Sequence, residues 1–373
     1  MSYRIFAINP GSTSTKIALF EDDRKIFSEN VSHDASELKK FGELSEQLPY
    51  RKDMILNILK EHGISLAGTD AFVGRGGGLL SVTGGTYEIN DILLEHARTC
   101  RNGVIHPATL GSQLADEFAK EYGGKEFVIN PPDTDEFDEL ARVTGIKEIE
   151  RHSHLHALNL KETAIRHAQS MGKKYEDCNF IVCHIGGGIS VSAHKKGRMI
   201  DGTDIVEGEG PLAPTRAGAI PAFPLIQLCF SGSYTEKELL DKCSRTGGMV
   251  DHLGTSDAVE VCRRAEEGDE YAALIWNAMI YQIIKTIGSM AAVLHGDADG
   301  ILLGGGMVHS EDLVKQITDA CSFIAPVTAY PGEFEMEAMA AGAVRVLSGE
   351  EEAKTYTGIP VWSGFRKEKC NES

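Results

Sequence analysis

Positive charge is scarce in this chain. Its 373 residues carry 37 Lys and Arg against 55 Asp and Glu, a formal charge of −18, and a surface of that sign repels nucleic acid and anionic membranes alike. No stretch approaches the roughly 18 consecutive apolar residues of a membrane span. The first expected strand opens by Arg4 or Ile5, which leaves no room ahead of it for a signal peptide and makes a cytoplasmic location the expectation. The eight cysteines lack the paired spacing of a zinc or disulfide framework. Cys178 and Cys183 flank an apolar run, and the set reads as reduced core thiols. Two familiar glycine-rich loops are missing too. A Walker loop needs a second Gly just before its Lys and a helix after it, and a dinucleotide fingerprint also needs that helix. In INPGSTSTKIALF, residues 8–20, Lys16 follows Thr15 and opens an alternating, strand-like run instead.

What stands there is a hairpin crowded with hydrogen-bond donors. Gly11 lets backbone approach an anion closely, and Ser12, Thr13, Ser14 and Thr15 add hydroxyls to the backbone N–H groups. Residues 181–203, IVCHIGGGISVSAHKKGRMIDGT, repeat the same order: apolar strand, glycine-rich turn, alternating strand, charged turn, strand. The copies share little identity, so the repeat is one of architecture. Two such halves, each with a phosphate hairpin, suggest an anion held from both sides of a cleft. With 42% hydrophobic residues the chain is long enough for two domains, each with a core.

Strand and helix signals alternate between the hairpins, as in an α/β protein. Helices are expected at 54–62, 107–122 (closed by Gly123-Gly124), 152–171 and 336–347, and strands at 71–73 and 125–130, the latter stopped by Pro131-Pro132. Trp276, Met279, Ile280, Ile283, Ile284, Ile287, Met290 and Leu294 form a helical stripe that reads as core. Residues 301–303 read as a buried strand, with Gly304-Gly305-Gly306 turning into a helix whose first N–H groups are free. Arg75 in FVGRGGGLL and Arg216 in GPLAPTRAGAIP lie in Gly- or Pro-rich loops with little core to support, where a planar guanidinium suits carboxylate or phosphoryl oxygens. Asp133, Asp135 and Glu136 follow a strand, a place for a catalytic carboxylate or an acidic helix start. His152, His154 and His156 offer an i, i+4 pair, but no third and fourth ligand stands near in sequence, so no zinc site is expected.

The two hairpins, residues 9–16 and 184–190, resemble the signature segments of the acetate and butyrate kinase family, within the larger group of sugar kinases, actin and heat-shock chaperone ATPases. The likeness runs through nearly the whole chain. His184 is followed by three glycines where acetate kinases carry an Asn in mid-loop, and YPGEFEMEAMAAGAVRVL near the C-terminus is similar to the butyrate kinase branch. The resemblance implies an α/β fold of two related actin-like, RNase H-like domains flanking a nucleotide cleft: residues 1–145 completed by 336–373, and 146–335. It implies a phosphotransferase using ATP/ADP and Mg²⁺, with a short-chain carboxylate such as butyrate as acceptor and a homodimer or higher homo-oligomer as its form.

Residue by residue, the family pattern gives Asn9, Gly11, Ser12, Thr13, Ser14 and Lys16 to the first phosphate loop and Gly186, Gly187 and Gly188 to the second. Gly304, Gly305 and Gly306 match the adenosine loop, and Arg75 and Arg216 the substrate-binding arginines. His156 and His184 match groups around the transferred phosphoryl. Asp135 takes the active carboxylate, with Asp133 the alternative, and Asn9 and Glu335 go to the magnesium. The substrate carboxylate is already ionised at neutral pH, having a pKa of ~4–5, so no general base is required. Acetate or propionate kinase is the near alternative. A non-kinase actin-like ATPase would have no use for the two arginines, and a sugar or hydroxyacid kinase would need a base.

Overall fold

The computed structural model describes residues 2–365. They divide into two compact units: Met1–Asp135 with Arg142–Arg151 and Met336–Ser373, and Glu136–Ala141 with His152–Glu335. Residues 366–373, the C-terminal end of the expected first domain, and Cys370 with them, lie outside the described residues.

In chain order the strands are β1 (Arg4–Pro10), β2 (Ser14–Glu21), β3 (Arg24–Ser32), β4 (Ala71–Gly74), β5 (Thr86–Glu88) and β6 (Lys125–Ile129), then β7 (Asn179–Ile185), β8 (Ile189–Lys195), β9 (Arg198–Gly202), β10 (Gly300–Gly305) and β11 (Val327–Pro331), and last β12 (Lys354–Thr355). The first unit holds a sheet of order β12-β5-β6-β4-β1-β2-β3, the second one of order β11-β10-β7-β8-β9. Each contains an antiparallel meander whose first strand also pairs with a parallel neighbour, β1 with β4 and β7 with β10. This is the architectural repeat read from the two hairpins.

Continuous apolar runs make the central strands. Ile5 to Ile8 and Ile181 to Cys183 are buried on both faces, which is where helices cover both sides of a sheet. In the first unit the helix Leu110–Tyr122 lies on β4 so closely that a Cβ on Gly74 would overlap the backbone of Gly111, and that contact delivers Arg75 at the strand end. In the second unit the helix Glu270–Val293 buries Trp276, Met279, Ile280, Ile283, Ile287 and Met290 in the core, as its stripe predicts.

Several boundaries differ from the sequence reading. The helix expected at 54–62 runs Gln47–Glu61, since Pro49 sits in its first turn, where a missing N–H costs nothing. At 107–122 a 3-10 turn, Pro107–Thr109, precedes the helix Leu110–Tyr122, which ends at Gly123 with φ +79°. The helix expected at 152–171 is Ala157–Ser170. Residues 152–156 stay out of it because the His154 carbonyl accepts from the Ile205 N–H and its ring meets Asp204 Oδ2 at 2.6 Å. Glycines 304 and 305 finish β10, Gly306 opens a 3-10 turn to His309, and Ser310 caps the helix Glu311–Cys321.

Candidate active site

In the first unit the β1–β2 hairpin closes with Gly11 N–H donating to Ser14 O at 2.7 Å, while Asn9 and Lys16 face each other across the ladder. The side chains of Ser12 and Thr13 are exposed and Thr15 is buried. Arg75 follows β4, is buried, and donates from Nη1 to Asn130 O at 3.4 Å. Asn130 itself has a positive φ of 38°, which turns the chain sharply after β6 toward Asp133.

The two candidate aspartates have different surroundings. Asp135 is buried and bound bidentately by Arg142, at 2.7 and 2.8 Å, a geometry that fixes residues 135–142 against each other. Asp133 accepts from Asn102 Nδ2 at 2.6 Å through Oδ1, but its buried Oδ2 has no partner. Loss of solvent raises the Asp133 pKa to about 7, opposed by its hydrogen bonds and by the charge of Arg75.

His106, which sequence reasoning passed over, also belongs to this neighbourhood. The residue is exposed as a whole, but partial loss of solvent around the ring and the charges of Arg75 and Arg51 lower its pKa, and its Nδ1 accepts from Ala108 N–H at 3.1 Å, leaving the proton on Nε2. Its only signal in sequence is a His standing before a Pro, the N-cap of a short turn.

In the second unit the β7–β8 turn carries Gly186-Gly187-Gly188, with Gly186 N–H bonded to Gly188 O at 3.1 Å. The guanidinium of Arg216 lies on this turn: a Cβ on Gly188 would collide with Nη1. Both Nη1 and Nε of Arg216 are buried without a hydrogen-bond partner, and burial lowers the pKa of the group despite the favourable charge of Asp204. At the end of β7, His184 is 4% exposed and its pKa falls to about 4, mainly through burial, so the ring is neutral. The His156 ring stacks on it with centroids 4.1 Å apart and donates or accepts through Nδ1 at Ser190 Oγ, 2.8 Å away. Glu335, the first residue of the helix Glu335–Leu347, acts electrostatically on His184, and Glu333 Oε1 lies 4.0 Å from its Nε2. Glu333 had no signal in sequence apart from its closeness to Glu335.

A cavity of about 730 Å³ opens beside the same turn, lined by Gly186, Gly187, Pro214, Gly306, Met307 and Ser310 among others. Gly306 thus lines it, while Gly304 and Gly305 lie in the strand behind. Gly305, with φ +102°, packs where a Cβ would overlap the Ile185 backbone, which explains the need for glycine there without a ligand. The histidine cluster gains two acidic neighbours that lie about fifty positions on in sequence. His154, Asp204 and Glu207 bring ligand atoms together, but both Asp204 oxygens are already engaged, Oδ2 with His154 and Oδ1 with the N–H groups of Val206 and Glu207.

Known proteins resemble this chain along most of its length. Residues 145–326 match the model of the acetokinase family. A probable butyrate kinase of Clostridium botulinum (strain Alaska E43 / Type E3) is 46% identical over 356 residues, covering 95% of this chain and 100% of that protein. Butyrate kinase 2 of Clostridium acetobutylicum is also 46% identical over 95% of this chain and 100% of its own length. Among solved structures, the acetate kinase of Porphyromonas gingivalis superposes with a TM-score of 0.75 at 18% identity, over 92% of this chain and 100% of that one, and shares the fold. With relatives this similar along nearly its entire length, the chain belongs to the acetokinase family.

Proposed function

We infer that the chain is a short-chain fatty acid kinase that transfers the γ-phosphoryl group of ATP to the carboxylate of butyrate or a branched relative, giving ADP and an acyl phosphate in a reversible reaction. The observation that carries this reading is Arg216, a half-buried cation whose buried Nε and Nη1 lack partners, laid on a glycine turn beside two stacked histidines. Unpaired buried donors are costly, and an anion satisfies them.

The chemistry is electrostatic. The substrate carboxylate attacks as it is, already ionised, so the protein has to hold two anions in line and stabilise a planar phosphoryl group between them. Arg216 and Arg75 hold carboxylate and phosphoryl oxygens. His184, neutral with a pKa of about 4, and His156 donate hydrogen bonds to equatorial oxygens. Asn9, Gly11, Ser12, Thr13, Ser14 and Lys16 hold phosphate on the first unit, Gly186, Gly187 and Gly188 on the second. The cavity lined by Gly306 is large enough for an adenosine.

Mg²⁺ is part of the proposal, and the oxygen-rich donors suit a hard cation. Asn9, Glu335 and an aspartate would hold it, where it would offset charge on the phosphates. The unpartnered Oδ2 of Asp133 fits that aspartate better than the oxygens of Asp135, both of which Arg142 occupies. A homo-oligomer and a cytoplasmic location are proposed on the family likeness. Incubation with ATP, Mg²⁺ and single acids, with acyl phosphate trapped by hydroxylamine, tests the reading: hydroxamate from butyrate supports it, and ATP cleavage without hydroxamate from any acid overturns it.

A further inference from the structure

Beneath the first phosphate hairpin lies a cation with no countercharge. Arg51, on the helix Gln47–Glu61, is 0% exposed. Its Nη1 donates to Gly11 O at 2.9 Å, Ser14 O at 3.2 Å and Thr15 Oγ1 at 3.0 Å, and its Nε and Nη2 donate to Gln47 Oε1 at 3.2 and 3.0 Å. No carboxylate among the described residues pairs with it, and burial lowers its pKa to about 10. Buried arginines are ordinarily paired, and breaking such a pair is strongly destabilising. Here the acceptors are loop carbonyls, so half of the electrostatic account is open.

The contacts also orient the loop. Because a trans peptide points its C=O and the next N–H in opposite directions, a Gly11 carbonyl aimed at Arg51 turns the Ser12 N–H to the other face of the hairpin. That face carries the exposed Ser12 and Thr13 side chains. Thr15 Oγ1 accepts from Arg51 and is hydrogen-bonded to His33 Nε2, 2.8 Å away. Burial and the charge of Arg51 lower the His33 pKa to about 4, so the ring is neutral and neither shares nor offsets the charge of Arg51.

We propose that Arg51 is a positioning residue for phosphate binding: it holds the Gly11–Thr15 turn with the Ser12 N–H and the Ser12 and Thr13 hydroxyls facing outward and supplies from below a positive charge whose counterion is the bound polyphosphate. The assignment rests on the phosphotransferase reading for its kinetic consequence, but not for anion binding itself. The residue lies 35 or more positions from the loop and on a helix, where nothing in a linear reading distinguishes it from a snorkelling surface arginine.

The experiment compares the full-length protein with its Arg51→Gln and Arg51→Lys variants. Two readouts are taken: the rise in melting temperature caused by inorganic pyrophosphate, and kcat and KM for ATP in acyl phosphate formation. The wild-type chain is expected to melt higher with pyrophosphate. Arg51→Gln should lose most of that rise and about tenfold to a hundredfold in kcat/KM for ATP, the scale of charge-assisted bonds. Arg51→Lys, which keeps the charge but has no planar fork to span the carbonyls, should fall between. A residue with a merely structural role would lower the melting temperature without ligand and leave the pyrophosphate rise and the kinetics of the folded protein unchanged, and that result overturns the proposal. So does a wild-type chain whose melting is indifferent to pyrophosphate. If Arg51→Gln does not fold, Gln47→Ala loosens the guanidinium without removing it; a loss of about threefold in kcat/KM is expected, and wild-type values overturn the proposal. A wild-type chain that binds pyrophosphate but forms no acyl phosphate would sink the kinase reading while leaving the role of Arg51 to the melting data.

Discussion

Arg216 poses a contrast between stability and function. A half-buried guanidinium with two buried donors unmade is a liability in the folded chain, so removing it should not cost stability. Arg216→Ala is expected to lower kcat/KM by about 10²- to 10³-fold, as loss of an oxyanion-type donor does, with a melting temperature equal to or above wild type. Arg216→Lys should rescue poorly. Kinetics and thermal unfolding on the same preparations check this. The aspartates give the converse pair. Asp135→Asn strands Arg142 and should destabilise by about 3 kcal/mol, whereas Asp133→Asn should lose activity with the fold intact. The folded-state pKa of Asp133, about 7, lies above the unfolded value of 3.8, so the stability it contributes is present below that lower value and declines as pH rises to 7. Without Mg²⁺, Asp133→Asn should therefore melt above wild type at pH 8 and no higher at pH 4, as thermal unfolding at the two pH values would show. Sequence could name both aspartates but could not separate them, because residues 131–138 are irregular and no periodicity fixes which side chain faces the arginine.

At the scale of elements, the hairpins were legible because their grammar is local: an apolar strand, a turn that only glycine and small donors suit, and a return strand. The meander and the stripe of Glu270–Val293 followed from the same kind of pattern. What was lost lay at element edges and between distant elements. The 152–156 segment reads as helix by composition, yet its backbone and ring are claimed by residues 204 and 205, fifty positions on. Arg51 and His106 reach their places only through the packing of the helix and the turn that bear them. The second glycine turn gives the element-scale test. Gly188→Ala puts a methyl group where Arg216 Nη1 lies, and the flexible arginine must move while the strands stay. A loss of about tenfold or more in kcat/KM is expected, with little change in melting. Because one side chain acts through the other, the double variant Gly188→Ala/Arg216→Ala should be no slower than Arg216→Ala alone. Additive losses would show that the glycine serves something other than the arginine.

For the whole molecule the difficulty is charge. A chain of −18 that phosphorylates a carboxylate with ATP must handle two anions, and the proposal gives that task to few local cations, Arg216 among them, and to the neutral His184. Nothing among these residues measures the acyl chain, so substrate length has to be read from rates. If the acyl site is built for four carbons, acetate leaves two methylenes unfilled, about 1.6 kcal/mol or roughly fifteenfold. The decisive measurement is kcat/KM for acyl phosphate formation by the wild-type protein with ATP and acetate, propionate, butyrate and isobutyrate in turn. The expected result is a graded series with butyrate and isobutyrate ahead of propionate and acetate slow but measurable. Acetate equal to or faster than butyrate would contradict the four-carbon assignment, and no acyl phosphate from any of the four would contradict the kinase itself.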